Sequence, residues 1–195
     1  MKLHCPSPWT MAYAVFVLAV LIVTVWIVDL ERPCYHDECH FVETVERFGR
    51  DMSLTTIKGY NEMSTPLPFI LYALWGRLFG SRLQVLRLFS LLVAVVTYAF
   101  FYRLLVRLSG RRSTTFASAA FLILNPYMIG LSIFVYTDML TLLFILLSCM
   151  AVLQKKPVVL FVSLSAALLC RQFTVFLVLA LVVFYTLRAF RNRDR

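Results

Sequence analysis

The sequence predicts an all-α polytopic membrane protein, with about six transmembrane helices and further helices on its outer face. Two observations carry this. Of 195 residues, 61% are hydrophobic and only 15% charged, with a mean hydropathy of +0.82, far more apolar than a soluble core of this size requires. The apolar residues also come in helix-length runs separated by short basic clusters. The formal charge of +9 would suggest nucleic acid in a soluble protein. Here Lys and Arg sit mostly at the ends of apolar runs, where they set topology, and no nucleic-acid partner is expected.

The first run, Ala12 to Leu30, is long enough to cross a bilayer and has no small-residue cleavage site after it, so it reads as an uncleaved anchor. The later runs are followed by basic clusters at Arg103/Arg107/Arg111/Arg112, Lys155/Lys156 and Arg188/Arg191/Arg193/Arg195. If every run crossed, these clusters could not share one side. Demoting "PLPFILYALWGRLF" restores the parity, and its length of about 21 Å as a helix is short of a hydrocarbon core of about 30 Å. The predicted crossings are then 9–30, 83–105, 114–135, 138–154, 157–170 and 172–188 in a single membrane domain, 1–195, with both termini inside. Pro126 is expected to kink the third.

The outer loop, 31–82, holds two predicted juxtamembrane helices, 38–52 and 66–79. Phe41, Val45, Phe48 and Met52 are spaced four, three and four apart, as suits a helix lying on the membrane surface. Glu43 to Arg47 and Glu46 to Arg50 are i,i+4 pairs on its solvated face. Asp37 is placed to be its N-cap, and Ser64 or Thr65 to cap the second helix, whose first turn carries Pro66. Cys34 and Cys39 share this polar segment, either bridged or as free thiols.

This topology brings the polar items together at the outer pole: the loop, "YTD" at 136–138 and "RQ" at 171–172. An ionisable side chain at the edge of an apolar run marks a functional site by default, which singles out Asp138 and Arg171. The competing reading is ordinary helix capping by Thr137 or Asp138 and a snorkelling Arg171. "YHDECHF", residues 35 to 41, adds Asp37, Glu38, His36 and His40. Two carboxylates at the headgroup plane can deprotonate an acceptor hydroxyl or ligate a divalent cation. His36, His40 and Glu38 are also conceivable transition-metal ligands, without a second ligand cluster to support them, so no metal site is assigned.

"DECHF" is similar to the Asp-Glu-x-His-Phe motif of protein O-mannosyltransferases. Together with "STPLPFILY", "NPYMIGLSIFVYTDMLTLLF" and "LLCRQFTVF", it resembles the GT-C-type glycosyltransferases, closest to the dolichyl-phosphate-glucose-dependent alpha-1,2-glucosyltransferases. The likeness runs from Pro33 to Leu187, and its specificity lies in the order of short motifs. It implies the N-terminal module of such an enzyme, which would be longer. It further implies inverting transfer of a sugar from a polyprenyl-phosphate carrier to a hydroxyl of a lipid-linked glycan or protein, on the extracytoplasmic face. Asp37 would be the general base, with Glu38 positioning it or standing in for it. Arg171, followed by Gln172, would hold the carrier phosphate, and Asp138 would orient acceptor or sugar, with Tyr136 and His40 as further binding candidates. Val135 and Phe173-Thr174 depart from the family pattern. The implied membrane is the endoplasmic reticulum in a eukaryote and the plasma membrane in a prokaryote. The alternative is a non-enzymatic GT-C-like subunit that binds polyprenyl phosphate or scaffolds a second subunit.

Overall fold

The protein is described by a computed structural model covering residues 7–60 and 62–193. Arg195, in the third basic cluster, lies outside the described residues. Among them every regular element is helical, and the chain is a membrane protein with apolar helices of membrane-spanning length.

Helix α1 (Pro8–Val28) starts where Ser7 Oγ accepts from the Thr10 amide at 3.3 Å and Pro occupies the first turn, two signals that a sequence writes locally. The segment 31–82 follows with α2 (Asp37–Arg50), α3 (Leu54–Lys58) and α4 (Leu67–Phe79). The bounds of α2 and α4 lie within two residues of the helices expected at 38–52 and 66–79, and α3 is an additional helix. Helix α5 (Leu83–Ser109) is 27 residues long and packs against α1, α4, α6, α7 and α8, so it is the central post of the bundle.

The predicted crossing at 114–135 is not one helix. It is α6 (Arg112–Ile123) and α7 (Pro126–Ile133), bent by 70° at the intervening break. Pro126 lacks the amide that would continue α6, and Asn125 Oδ1 caps the new helix by accepting from Tyr127 N at 2.9 Å. The local break is therefore larger than a proline kink. Helices α8 (Asp138–Gln154) and α9 (Pro157–Leu168) form a tight hairpin, followed by a short 3-10 turn at Gln172–Thr174 and by α10 (Val175–Arg193). By length and composition α1 and α5 can each span a membrane, and the bent α6 and α7 pair makes a third candidate. Helix α9, with 12 residues, extends only about 18 Å.

The buried polar groups follow membrane-protein rules. Thr97, Ser132, Ser148 and Ser163 each donate to the carbonyl four residues back, at 2.7 to 2.8 Å. Some then bridge helices: Ser148 to Ser163 at 2.9 Å joins α8 to α9, and Tyr98 to Ser132 at 2.7 Å joins α5 to α7. Hydroxyls that meet each other satisfy groups that lipid cannot. Between α2 and α4 the core is aromatic, with Phe48 of α2 and Phe69 of α4 fully buried and their rings at 6.3 Å. This contact docks α2 onto α4.

Candidate functional site

Three segments far apart in sequence converge in the structure. Leu67 N donates to Leu169 O at 3.1 Å and Thr65 Oγ1 to Leu168 O at 3.2 Å, which pins the start of α4 to the end of α9. Ser64 Oγ lies 3.2 Å from Thr137 Oγ1, drawing in the start of α8. Ser64 and Thr65 are thus tertiary clasps. They were expected to cap α4, but the cap position is Pro66, which has no side-chain acceptor to offer.

These contacts wall a cavity of about 780 Å³, lined among others by Asp37, His40, Glu62, Tyr136, Asp138 and Arg171. A volume of this order admits a small ligand. Five residues singled out from sequence therefore meet at one place. The carriers of the polarity are helix starts: Asp37 is the first residue of α2 and Asp138 the first of α8. A carboxylate there is favoured by the aligned peptide dipoles.

The structure corrects the reading of Asp37 as a cap. The cap position is His36, with φ at 50°, and its side chain makes no capping bond. Among the described residues Asp37 makes no side-chain hydrogen bond, and it faces the cavity. His40 follows at i+3, on the same side of the helix. Cys34 and Cys39 are joined in a disulfide that brackets Asp37.

Glu38 points elsewhere. One residue along a helix is a turn of about 100°, and this carries Glu38 into the core, where it is 1% exposed. Its carboxylate accepts from Arg87 Nε at 3.0 Å and Nη2 at 2.7 Å, and from Val135 N at 3.1 Å. It does not line the cavity with Asp37.

Arg171 donates from Nη2 to Asp138 Oδ2 at 2.7 Å, and the two side chains are 23% and 24% exposed. The pair is open to a ligand from the cavity. Arg171 Nε is buried without a hydrogen-bond partner among the described residues, so most of the guanidinium's five donors remain uncommitted. Gln172 lies outside the cavity lining and donates from Nε2 to Met63 O at 3.3 Å. Tyr136 packs edge-on against Phe41, with centroids 5.8 Å apart. Burial, and then the nearby Glu38 and Asp37 carboxylates, push its phenol above the usual range and keep it a hydrogen-bond donor.

Sequence reasoning missed Glu62 and Arg87. Glu62 lines the cavity and accepts from Thr44 Oγ1 at 2.8 Å; it sits in a polar loop, where one more acid carries no signal. Arg87 did carry one, because it lies inside an apolar run, the rule that flagged Asp138 and Arg171. No three His, Cys, Asp or Glu side chains among the described residues are gathered as a metal site. The His36, His40 and Glu38 set in particular is broken up, since Glu38 is taken by Arg87. The expected Glu43 to Arg47 pair is not formed, while Glu46 and Arg50 meet at 3.3 Å on the exposed face.

No match is found among curated proteins or among solved structures. A sequence model of one family does match, over residues 34–195, which takes in α2 through α10 and every lining residue named above. On that match, which takes in the acids and the arginine collected in one cavity, the chain belongs to the DIE2/ALG10 family, a family of glycosyltransferases.

Proposed function

We propose that this chain transfers glucose from a dolichyl or other polyprenyl-phosphate carrier to a hydroxyl acceptor, with inversion, on the extracytoplasmic face. The observation that carries the reading is the meeting of Asp37, Asp138 and Arg171, from three separate segments, in one cavity of about 780 Å³. The choice of face follows from the expected six-crossing topology, in which all three would lie on the side away from the basic clusters.

In the reaction the Asp37 carboxylate takes the proton of the acceptor hydroxyl. The freed oxygen attacks the anomeric carbon from the face opposite the phosphate. The bond from that carbon to the phosphate oxygen breaks, and its electron pair leaves with the polyprenyl phosphate. The charge that grows on the phosphate meets Arg171, whose planar fork matches phosphate oxygens. A fixed cation there stabilises the transition state more than the ground state. Asp138 holds the guanidinium through its 2.7 Å bond and orients it toward the cavity. Tyr136 and His40 line the same space, as donors toward sugar hydroxyls. Glu38 acts on the position of Asp37 and does not replace it, because its own carboxylate is fully engaged. The acceptor is a lipid-linked glycan or a protein, the membrane that of the endoplasmic reticulum in a eukaryote or the plasma membrane in a prokaryote.

The test is sugar transfer by detergent-purified protein from a panel of polyprenyl-phosphate sugars, with products identified by mass spectrometry. Asp37→Asn removes the base without breaking a bond in the described structure, and is expected to lower transfer at least ~100-fold. Wild-type protein that binds the carrier yet transfers no sugar would instead identify a carrier-binding subunit.

A further inference from the structure

Arg87 takes no part in that reaction as written, yet it is one of the most deeply buried side chains, at 0% exposure, five residues into α5. All three of its nitrogens are engaged. Nε and Nη2 grip Glu38 at 3.0 and 2.7 Å, Nη1 donates to Leu30 O at 2.9 Å and to Arg32 O at 2.6 Å, and the guanidinium lies 5.4 Å from the Phe134 ring centroid. Glu38 in turn accepts from Val135 N at 3.1 Å. The pair thus ties together the segment after α1, the start of α2, α5 and the turn between α7 and α8. Two of these carry cavity residues: Asp37 adjoins Glu38 in the chain, and Tyr136 adjoins Val135.

Stability alone is a poor reason for such a pair, because apolar residues of similar volume often hold a fold as well or better. What a bidentate fork adds is fixed orientation. Orientation is needed here, since His36, next to Asp37, has φ at 50°, where a side-chain-bearing residue persists only if its surroundings hold it. Arg87 holds the backbone before His36 through Leu30 and Arg32, and the Cys34–Cys39 disulfide spans it.

We propose that Arg87 is a positioning residue: through Glu38 it sets the register between the start of α2 and the 134–138 turn, so that Asp37 and the Asp138–Arg171 pair address one point in the cavity. The inference rests on the transfer reading for its catalytic consequence, and on the contacts alone for its structural one.

Two measurements on the full chain separate these. In the first, Arg87→Met is combined with Glu38→Leu, which removes both charges and keeps the volume. The double variant leaves no buried charge unpaired but takes the acceptor from Val135 N and the donor from Leu30 O and Arg32 O, so its unfolding temperature is expected to fall by several degrees with the fold kept. Its kcat should nevertheless fall ~100-fold, the scale of a small misplacement of catalytic groups, with KM little changed. Wild-type kcat in the double variant overturns the proposal. In the second, cysteines replace Phe41 and Tyr136, whose rings are 5.8 Å apart across the α2-to-turn seam, and a short bifunctional thiol reagent links them, scored by mass spectrometry of the joined peptides. Arg87→Lys, which keeps the charge and loses the fork, is expected to lower the yield several-fold in folded protein, and an unchanged yield overturns the proposal. If wild type transfers no sugar, the transfer reading fails while the linking yield still decides whether Arg87 sets the register.

Discussion

Replacing Arg171 by Gln should separate stability from catalysis by a wide margin. The Asp138–Arg171 pair is about a quarter exposed on both sides, and pairs that water still reaches contribute ~0.2–1 kcal/mol. Removing the cation leaves Asp138 with solvent access and with the favourable N-terminal field of α8, so no buried charge is stranded. The expected destabilisation is therefore ~1 kcal/mol at most, a fall in unfolding temperature of about 2–4 °C for a chain of this size. The catalytic loss has a different scale. If Arg171 meets the charge developing on the departing phosphate, its removal costs what the loss of a preorganised transition-state donor costs, ~100- to 1000-fold in kcat. Arg171→Lys keeps a point charge but loses the planar fork and should fall between. The assay is carrier-dependent transfer with purified protein beside thermal unfolding in the same detergent. Full transfer by Arg171→Gln would refute the phosphate role. A fall in unfolding temperature well above 4 °C in parallel with lost transfer would make the arginine a structural clasp.

Two further outcomes follow from the loop that carries the acids. Opening the Cys34–Cys39 disulfide, by Cys34→Ser with Cys39→Ser, should destabilise the outer loop by about 2 kcal/mol on chain-entropy grounds for a sequence separation of 5, and reductant should lower the wild-type unfolding temperature while leaving the serine variant unchanged. Asp51 is held below the ordinary carboxylate range by hydrogen bonds from the Thr56 hydroxyl and then from Ser53. The sign follows: the stabilisation of α3 is complete above the unfolded carboxylate value near 4 and is lost as pH falls through the lower folded value. Hydrogen exchange at residues 53–58 should therefore accelerate below about pH 4, beyond its intrinsic pH dependence. In Asp51→Asn this extra acceleration should vanish; if it persists there, Asp51 is not its source.

Sequence alone determined the solvent and the coarse plan of this protein. Hydropathy made it a membrane protein, the apolar runs placed the starts of α1 and α4 within a residue, and charge parity set the expectation that Asp37, His40, Tyr136, Asp138 and Arg171 share one side. These signals act over a few residues or along the membrane normal, and a linear reading captures both. Only the tertiary structure decided what each polar group does there. Neighbouring acids at 37 and 38 are indistinguishable in composition, but a helical step of about 100° sends one to the cavity and the other to the core. Glu38 finds its partners 49 and 97 residues away, at Arg87 and Val135. The same is true of Ser64 and Thr65, whose local pattern says cap and whose bonds go to Thr137 and Leu168. A buried polar group must be satisfied by whatever the fold brings beside it, and that depends on the packing of all the helices at once.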